Sequence, residues 1–256
     1  MPNADRPSTL PSSELPITLD LWLWSLDGAT PAAHAAYGAL LNAEEQTRAA
    51  AFAAGPLKQR YVVGRGRMRE ILADALACAP QEVALAATAH GKPYLRPERH
   101  PNAPAFNLAH AGGWAALVTG PEGLTLGIDI EPVRPIDPEV AAISFSEAER
   151  AELATLSGPD WATGFFNGWT RKEAVVKALG AGLSYPLDSF DVTLRPGAAA
   201  RVTRLAEADP TAWQLWPLAL GDGFPGCIAL CHRGDVTVAL REGALPLRAP
   251  AAHPPT

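Results

Sequence analysis

Three stretches of this sequence carry residues spaced for charge chemistry. In GIDIEPVRP, Asp129 and Glu131 stand two apart in an otherwise apolar run that Pro132 ends. On a strand, alternate side chains point the same way, so both carboxylates share one face while Ile128 and Ile130 take the other. Like charges so close repel unless a cation lies between them. A hard divalent ion with oxygen ligands meets that need; two acids at a solvated strand end is the plainer alternative. In WTRKEAVVKALG, read as a helix, Glu173 lies about 40° and Lys177 about 80° round from Trp169. Phe165, Trp169, Val176 and Leu179 form the apolar stripe, so Glu173 and Lys177 share one of its borders. Such a pair is either an ordinary i,i+4 surface contact or a half-buried acid and base. Lys172 falls near the other edge, where it must snorkel or meet an anion.

The third stretch is basic. LKQRYVVGRGRMREIL puts Lys58, Arg60, Arg65, Arg67 and Arg69 in one helix. Arg65 and Arg69 are i,i+4 neighbours, an unfavourable pairing unless something anionic joins them. A solvated basic face and a forked phosphate site both fit. AHGKPYL reads as a turn presenting Lys92. FNLAHAGGW places His110 at a strand end beside Gly112 and Gly113, where backbone can approach a ligand; a structural histidine is the alternative.

The elements that would position these residues follow from periodicity. Ile17 to Trp24 alternates as a strand. Asn42 with Glu45 is a capping box opening a helix through Phe52. A longer helix runs from Leu57 to Ala77 with Leu57, Tyr61, Met68, Ile71 and Leu72 on its stripe. Strands are expected near 83–88, 104–109 and 114–119. The order then recurs: an apolar strand from Leu124 to Glu131, a second capping box at Ser146 and Glu149, a helix from Trp161 to Leu179, and strands near 190–194, 212–217, 226–232 and 236–240. Gly180 and Gly182 punctuate the helix end. The expected fold class is α+β, two similar subdomains related by pseudo-two-fold symmetry, with a ligand cleft between them. The spans are 17–122 and 123–243, flanked by a disordered polar tail over 1–16 and a loose tail over 244–256.

Composition narrows the class. The chain has 256 residues, 48% hydrophobic and 19% charged, enough for a real core. A net charge of −6 gives no global nucleic-acid signature. No stretch reaches the ~18 apolar residues of a membrane span, and the start lacks the pattern of a signal peptide. Cys78, Cys227 and Cys231 form no CxxC pair, which fits reduced thiols in a cytoplasmic protein.

Taken in order, GKPYL, FNLAHAGGW, GIDIEPVRP, FSEAER and FFNGWTRKEAVVKALGAGL closely resemble the phosphopantetheinyl transferases, in the longer, single-chain, pseudo-dimeric form that activates surfactin synthetase. The resemblance runs from about Ala43 to Val192. It implies transfer of the 4'-phosphopantetheine arm of coenzyme A to a serine of an apo acyl, peptidyl or aryl carrier protein, with adenosine 3',5'-bisphosphate released. It implies Mg2+ held by Asp129, Glu131 and Glu173, with Glu173 also the base for the serine hydroxyl. Lys177 matches a lysine on the phosphates and leaving group. Arg60, Lys92 and His110 match positions around the 3'-phosphate and adenosine, and Lys172 is a further candidate. It also implies a monomer with neither a nucleic-acid nor a membrane partner. The family often has Ser-His-Ser where this chain has Ala109-His110-Ala111, so backbone amides or an arginine must replace the missing hydroxyls. Two other readings stay open: a relative that binds coenzyme A or carriers without transfer, and a Mg2+-dependent pyrophosphohydrolase. Carrier choice is not legible.

Overall fold

The computed structural model describes residues 15–53, 55–182, 185–206, 209–221 and 223–241. The two expected tails therefore fall, apart from residues 15 and 16, outside the described residues. The alternation in ITLDLWLWS builds strand β1 (Ile17–Ser25). Leu19, Leu21 and Leu23 face one side of it, and Trp22 and Trp24 the other. Helices α1 (Pro31–Leu40), α2 (Ala43–Ala51) and α3 (Pro56–Leu76) follow, then strands β2 (Leu85–Ala87), β3 (Pro93–Leu95), β4 (Ala105–Ala111) and β5 (Trp114–Gly120). The second half repeats the order. Strand β6 (Leu126–Ile130) leads to helices α4 (Glu139–Ser144), α5 (Glu147–Leu153) and α6 (Gly158–Leu179), then strands β7 (Phe190–Val192), β8 (Val202–Leu205), β9 (Trp213–Ala219) and β10 (Pro225–Cys231).

The pairing repeats as well. The first sheet contains the order β1-β5-β4 and the second β6-β10-β9, all antiparallel. In each half, two short strands form a separate hairpin, β2-β3 or β7-β8. The final strand, β11 (Val236–Arg241), breaks the symmetry. It pairs in parallel with β1, so residues 236–241 belong to the first sheet although they lie in the 123–243 span.

Three apolar clusters hold the layers together. Helix α3 packs through Val63, Met68 and Leu72 on the Trp24–Leu117 face of the first sheet. The two sheets meet through Leu19, Leu21 and Val118 against Ile128, Ile130, Ile228 and Leu230. Helix α6 covers the far face of the second sheet with Phe165, Val175 and Ala178 over Cys227 and Ala229. Each fully buried aliphatic side chain contributes roughly 1.5–3 kcal/mol, so the sheet–sheet contact is no weaker in kind than either helix–sheet contact. The sheets also touch edge to edge, where Asn107 Oδ1 of β4 accepts the Ile128 N–H of β6 at 2.8 Å.

Both capping boxes form as expected. Helix α1 is additional, although Thr30 as N-cap and Pro31 at the first position announce it. Leu57 is not a core residue: it lies 70% exposed in the first turn of α3. Strands β3 and β8, three and four residues long, are additional to the expected ones.

Candidate active site

The second half brings four of the singled-out side chains to one place. Gly127 and Asp129 face α6, and Ile128 and Ile130 face the first sheet, as period two requires. A Cβ on Gly127 would lie 2.0 Å from the Ala174 carbonyl oxygen, so only glycine lets α6 lie this close to β6. That approach puts Lys177 Nζ 2.6 Å from Asp129 Oδ1. Asp129 is only 6% exposed, and its other oxygen, Oδ2, is buried without a hydrogen-bond partner.

The acids sense one another. Burial raises the Asp129 carboxyl above its ordinary value, against the pull of Lys177. Glu131 is raised by burial and then by the Asp129 charge. Glu173 is raised by burial, then by Asp129, with a smaller push from Glu131. Among the described residues, no three His, Cys, Asp or Glu side chains converge as a metal-holding group. The acids are thus neighbours in charge rather than a closed ligand shell, and Lys177 is the cation between them.

One cavity borders this cluster and a second adjoins the first. One, of about 230 Å³, is lined by Asn107, Leu108, Val176, Glu173 and Lys177. The other, of about 550 Å³, is lined by Arg48, Arg60, Tyr61, Arg65 and His110. They share Gly91, Pro93 and Leu108, so they form one cleft between the halves.

Both halves also match known families. Residues 125–231 match the family model described as the 4'-phosphopantetheinyl transferase superfamily. Residues 28–122 match the one described as 4'-phosphopantetheinyl transferase, N-terminal. A 4'-phosphopantetheinyl transferase of Bacillus subtilis is 32% identical over 61% of this chain and 68% of its own length. One of Nostoc sp. is 30% identical over 77% of this chain and 81% of its own. The chain belongs to the 4'-phosphopantetheinyl transferase superfamily. An L-aminoadipate-semialdehyde dehydrogenase-phosphopantetheinyl transferase of Pongo abelii is 31% identical over 64% of this chain and 58% of its own. Several of the bacterial relatives are matched over only 58% to 66% of their length. A solved holo-[acyl-carrier-protein] synthase of Thermotoga maritima matches 43% of this chain and 64% of its own at 20% identity and a TM-score of 0.34, too slight a likeness to build on.

Within this transferase-family chain, the basic residues divide. His110 is exposed at the end of β4 in the larger cavity and lies within reach of the Asp129 charge. Arg60 lines the same cavity, where its Nε and Nη2 donate to both oxygens of Asp27 at 2.7 Å. Asp27 is held below the usual carboxylate range by that pairing.

Lys172 is a correction. It is 0% exposed and lines neither cavity, with Nζ 2.7 Å from Glu149 Oε2 and donating to the Leu187 and Phe190 carbonyls. A helical-wheel edge reads as a border only when one side of the helix is covered, and here the β7-β8 hairpin covers a second side. Arg69 holds the equivalent place in the first half, bonded to Glu45 and to the Pro80 and Val83 carbonyls. Arg65 reaches Glu45 too, at 3.4 Å. The anion that reconciles Arg65 with Arg69 is thus the capping-box glutamate, not a ligand.

Lys92 lines the smaller cavity rather than the larger one, and its Nζ donates to the carbonyls of Leu126, Lys177 and Ala178. Burial lowers its pKa to about 8. The places of Asn107 and Tyr61 at the cleft, and of Asp27 on Arg60, were not foreseen. The buried, unpartnered hydroxyl of Tyr61 and its ring contact with Phe52 have no sequence signature. Asn107 stands in the singled-out FNLAH stretch, and a lone amide amid apolar strand residues was the available signal.

Proposed function

We propose that this protein transfers the 4'-phosphopantetheine group of coenzyme A to a serine of an apo acyl or peptidyl carrier protein, with Mg2+, releasing adenosine 3',5'-bisphosphate. The observation that carries the reading is Asp129: buried, with Lys177 on one oxygen, no partner on the other, and Glu131 and Glu173 in reach of its charge. The donors are all hard oxygens, which suits Mg2+, and the orphaned oxygen with mutually strained acids is what a divalent ion relieves. Asp129, Glu131 and Glu173 would hold it. Bound there, Mg2+ supplies charge neutralisation for the pyrophosphate oxygens.

The remaining work falls to the chain's own groups. Glu173, a carboxylate lining the smaller cavity beside Lys177, is placed to take the serine proton as the hydroxyl attacks. Lys177 offers positive charge where the leaving bisphosphate accumulates negative charge. Arg60 and His110, on the walls of the larger cavity, would hold the remote 3'-phosphate and so fix the reacting bond. We assign the reaction to a cytoplasmic monomer; Cys78, Cys227 and Cys231 are free thiols.

The test is intact mass of an apo carrier protein after incubation with this protein, coenzyme A and Mg2+. A gain of one phosphopantetheine arm is expected. Breakdown of coenzyme A without carrier labelling would mean a pyrophosphohydrolase, and no change at all a binding protein. Asp129→Ala should abolish labelling while the variant still unfolds cooperatively. Full labelling by that variant with metal controlled refutes the assignment of the acids.

A further inference from the structure

The turn that carries Lys92 is built to hold that side chain still. Between β2 and β3, the Thr88 N–H donates to the Lys92 carbonyl at 2.9 Å, the Gly91 N–H donates to the Thr88 carbonyl at 2.9 Å, and the Lys92 N–H donates to Thr88 Oγ1 at 3.2 Å. Gly91 supplies the positive φ, +81°, that closes such a turn. The side chain then crosses from the first half to the second.

What it meets there are the last carbonyls of α6, of which that of Lys177 also accepts the Gly180 N–H at 3.2 Å. Helix ends leave their last C=O groups without intrahelical donors, and the accumulated dipole is negative there. Gly180, at φ +67°, ends α6 in the left-handed conformation. Lys92 Nζ bonds the carbonyls of Lys177 and Ala178, and also that of Leu126 at 3.2 Å. Leu126 opens β6, three residues before Asp129. One ammonium therefore ties together the two elements that carry the site: α6 with Glu173 and Lys177, and β6 with Asp129 leading to Glu131. The close approach at Gly127, where α6 backbone sits directly over β6, leaves no side chain to hold that distance from within.

We propose that Lys92 is a positioning residue, a clamp from the first half that fixes α6 against β6 and thereby sets Lys177 and Glu173 relative to Asp129. This rests on the transferase reading above and departs from a phosphate-binding role for the same lysine. The two roles separate kinetically. If Lys92 binds the 3'-phosphate, Lys92→Met raises KM for coenzyme A and spares dephospho-coenzyme A, which has no such group. If Lys92 is a clamp, the same change misplaces reacting groups while leaving the larger cavity, which Lys92 does not line, as it was, so it lowers kcat for both donors alike. Displacements of this kind cost up to about a hundredfold.

The experiment measures carrier labelling with both donors for the wild-type chain, Lys92→Met, Lys92→Gln and Lys92→Arg, with hydrogen exchange at residues 176–182 as a readout independent of activity. For Lys92→Met, kcat should fall about tenfold or more with either donor, KM should change by less than about twofold, and amides at the end of α6 should exchange faster. Lys92→Arg, which keeps a cation with donors, should recover much of kcat and protection. Should Lys92→Met not fold, Lys92→Gln decides by the same split in milder form. A rise in KM confined to coenzyme A, or unchanged exchange at the end of α6, overturns the proposal. An inactive wild-type chain would instead defeat the transferase reading, while exchange in the variants would still report the clamp.

Discussion

Replacing Lys172 with methionine separates a structural lysine from a ligand-binding one. In the native protein its ammonium is paired with Glu149, donates to the Leu187 and Phe190 carbonyls, and stands 4.4 Å from the Phe190 ring centre. Methionine fills the volume but leaves the buried Phe190 carbonyl and the half-buried Leu187 carbonyl without this donor. Glu149 keeps only the N–H groups of Ser146 and Val192. Burial already pushes Glu149 up and Lys172 down against each other's attraction, so neither charge has solvation to fall back on. Removing one member of a buried pair costs about 3–5 kcal/mol, a large share of the roughly 5–15 kcal/mol that holds a domain folded. For a chain of this size that lowers Tm by roughly 6–20 °C. Thermal and urea unfolding of Lys172→Met measure this loss, and KM for coenzyme A is read below the transition. KM should stay within about twofold of the parent's. The double variant Glu149→Gln/Lys172→Met should lose less than the sum of the single losses, because each single change strands a partner. A Tm within about 2 °C of the parent's together with a several-fold rise in KM would refute the structural role and return Lys172 to the ligand.

Gly127→Ala should be strongly destabilising, since its Cβ would meet backbone, the Ala174 oxygen at 2.0 Å and the Ala178 nitrogen at 2.5 Å. Overpacking of this kind costs about 1–3 kcal/mol or more, measurable as a fall in the urea midpoint; an unchanged midpoint would mean α6 is not pinned there. Arg60→Ala should raise KM for coenzyme A and leave dephospho-coenzyme A unaffected; equal effects on both donors would remove Arg60 from the 3'-phosphate. The raised Asp129, Glu131 and Glu173 carboxyls mean that the folded protein binds these protons more tightly than the unfolded chain does. The stability they contribute is full below ordinary carboxylate pKa values and is lost as pH rises through the raised ones. Mg2+ should offset that loss, so its effect on Tm should grow from mildly acidic to neutral pH and vanish in Asp129→Asn; a Tm gain that shrinks with rising pH would contradict this.

Whatever depends on local period and on neighbours in the chain could be read before any layer was packed. Alternation placed Asp129 on one face of β6 and Ile128 and Ile130 on the other, and both capping boxes stand where Asn42…Glu45 and Ser146…Glu149 put them. The helical step set Glu173 and Lys177 on one border of α6, and the repeated order of elements foretold two matched halves. Which charges are spent inside the protein and which stay at the cleft was decided by packing alone. Lys172 and Lys177 look equally plausible on a helical wheel, yet the β7-β8 hairpin buries one while β6 offers Asp129 to the other. Arg69 was taken by Glu45 and Lys92 by the end of α6, partners 24 and 85 residues away. Such outcomes escape a linear reading because an ion's partner is set by which surfaces the folded layers bring together, and the cost of burying a charge forces it onto whatever acceptor lies there.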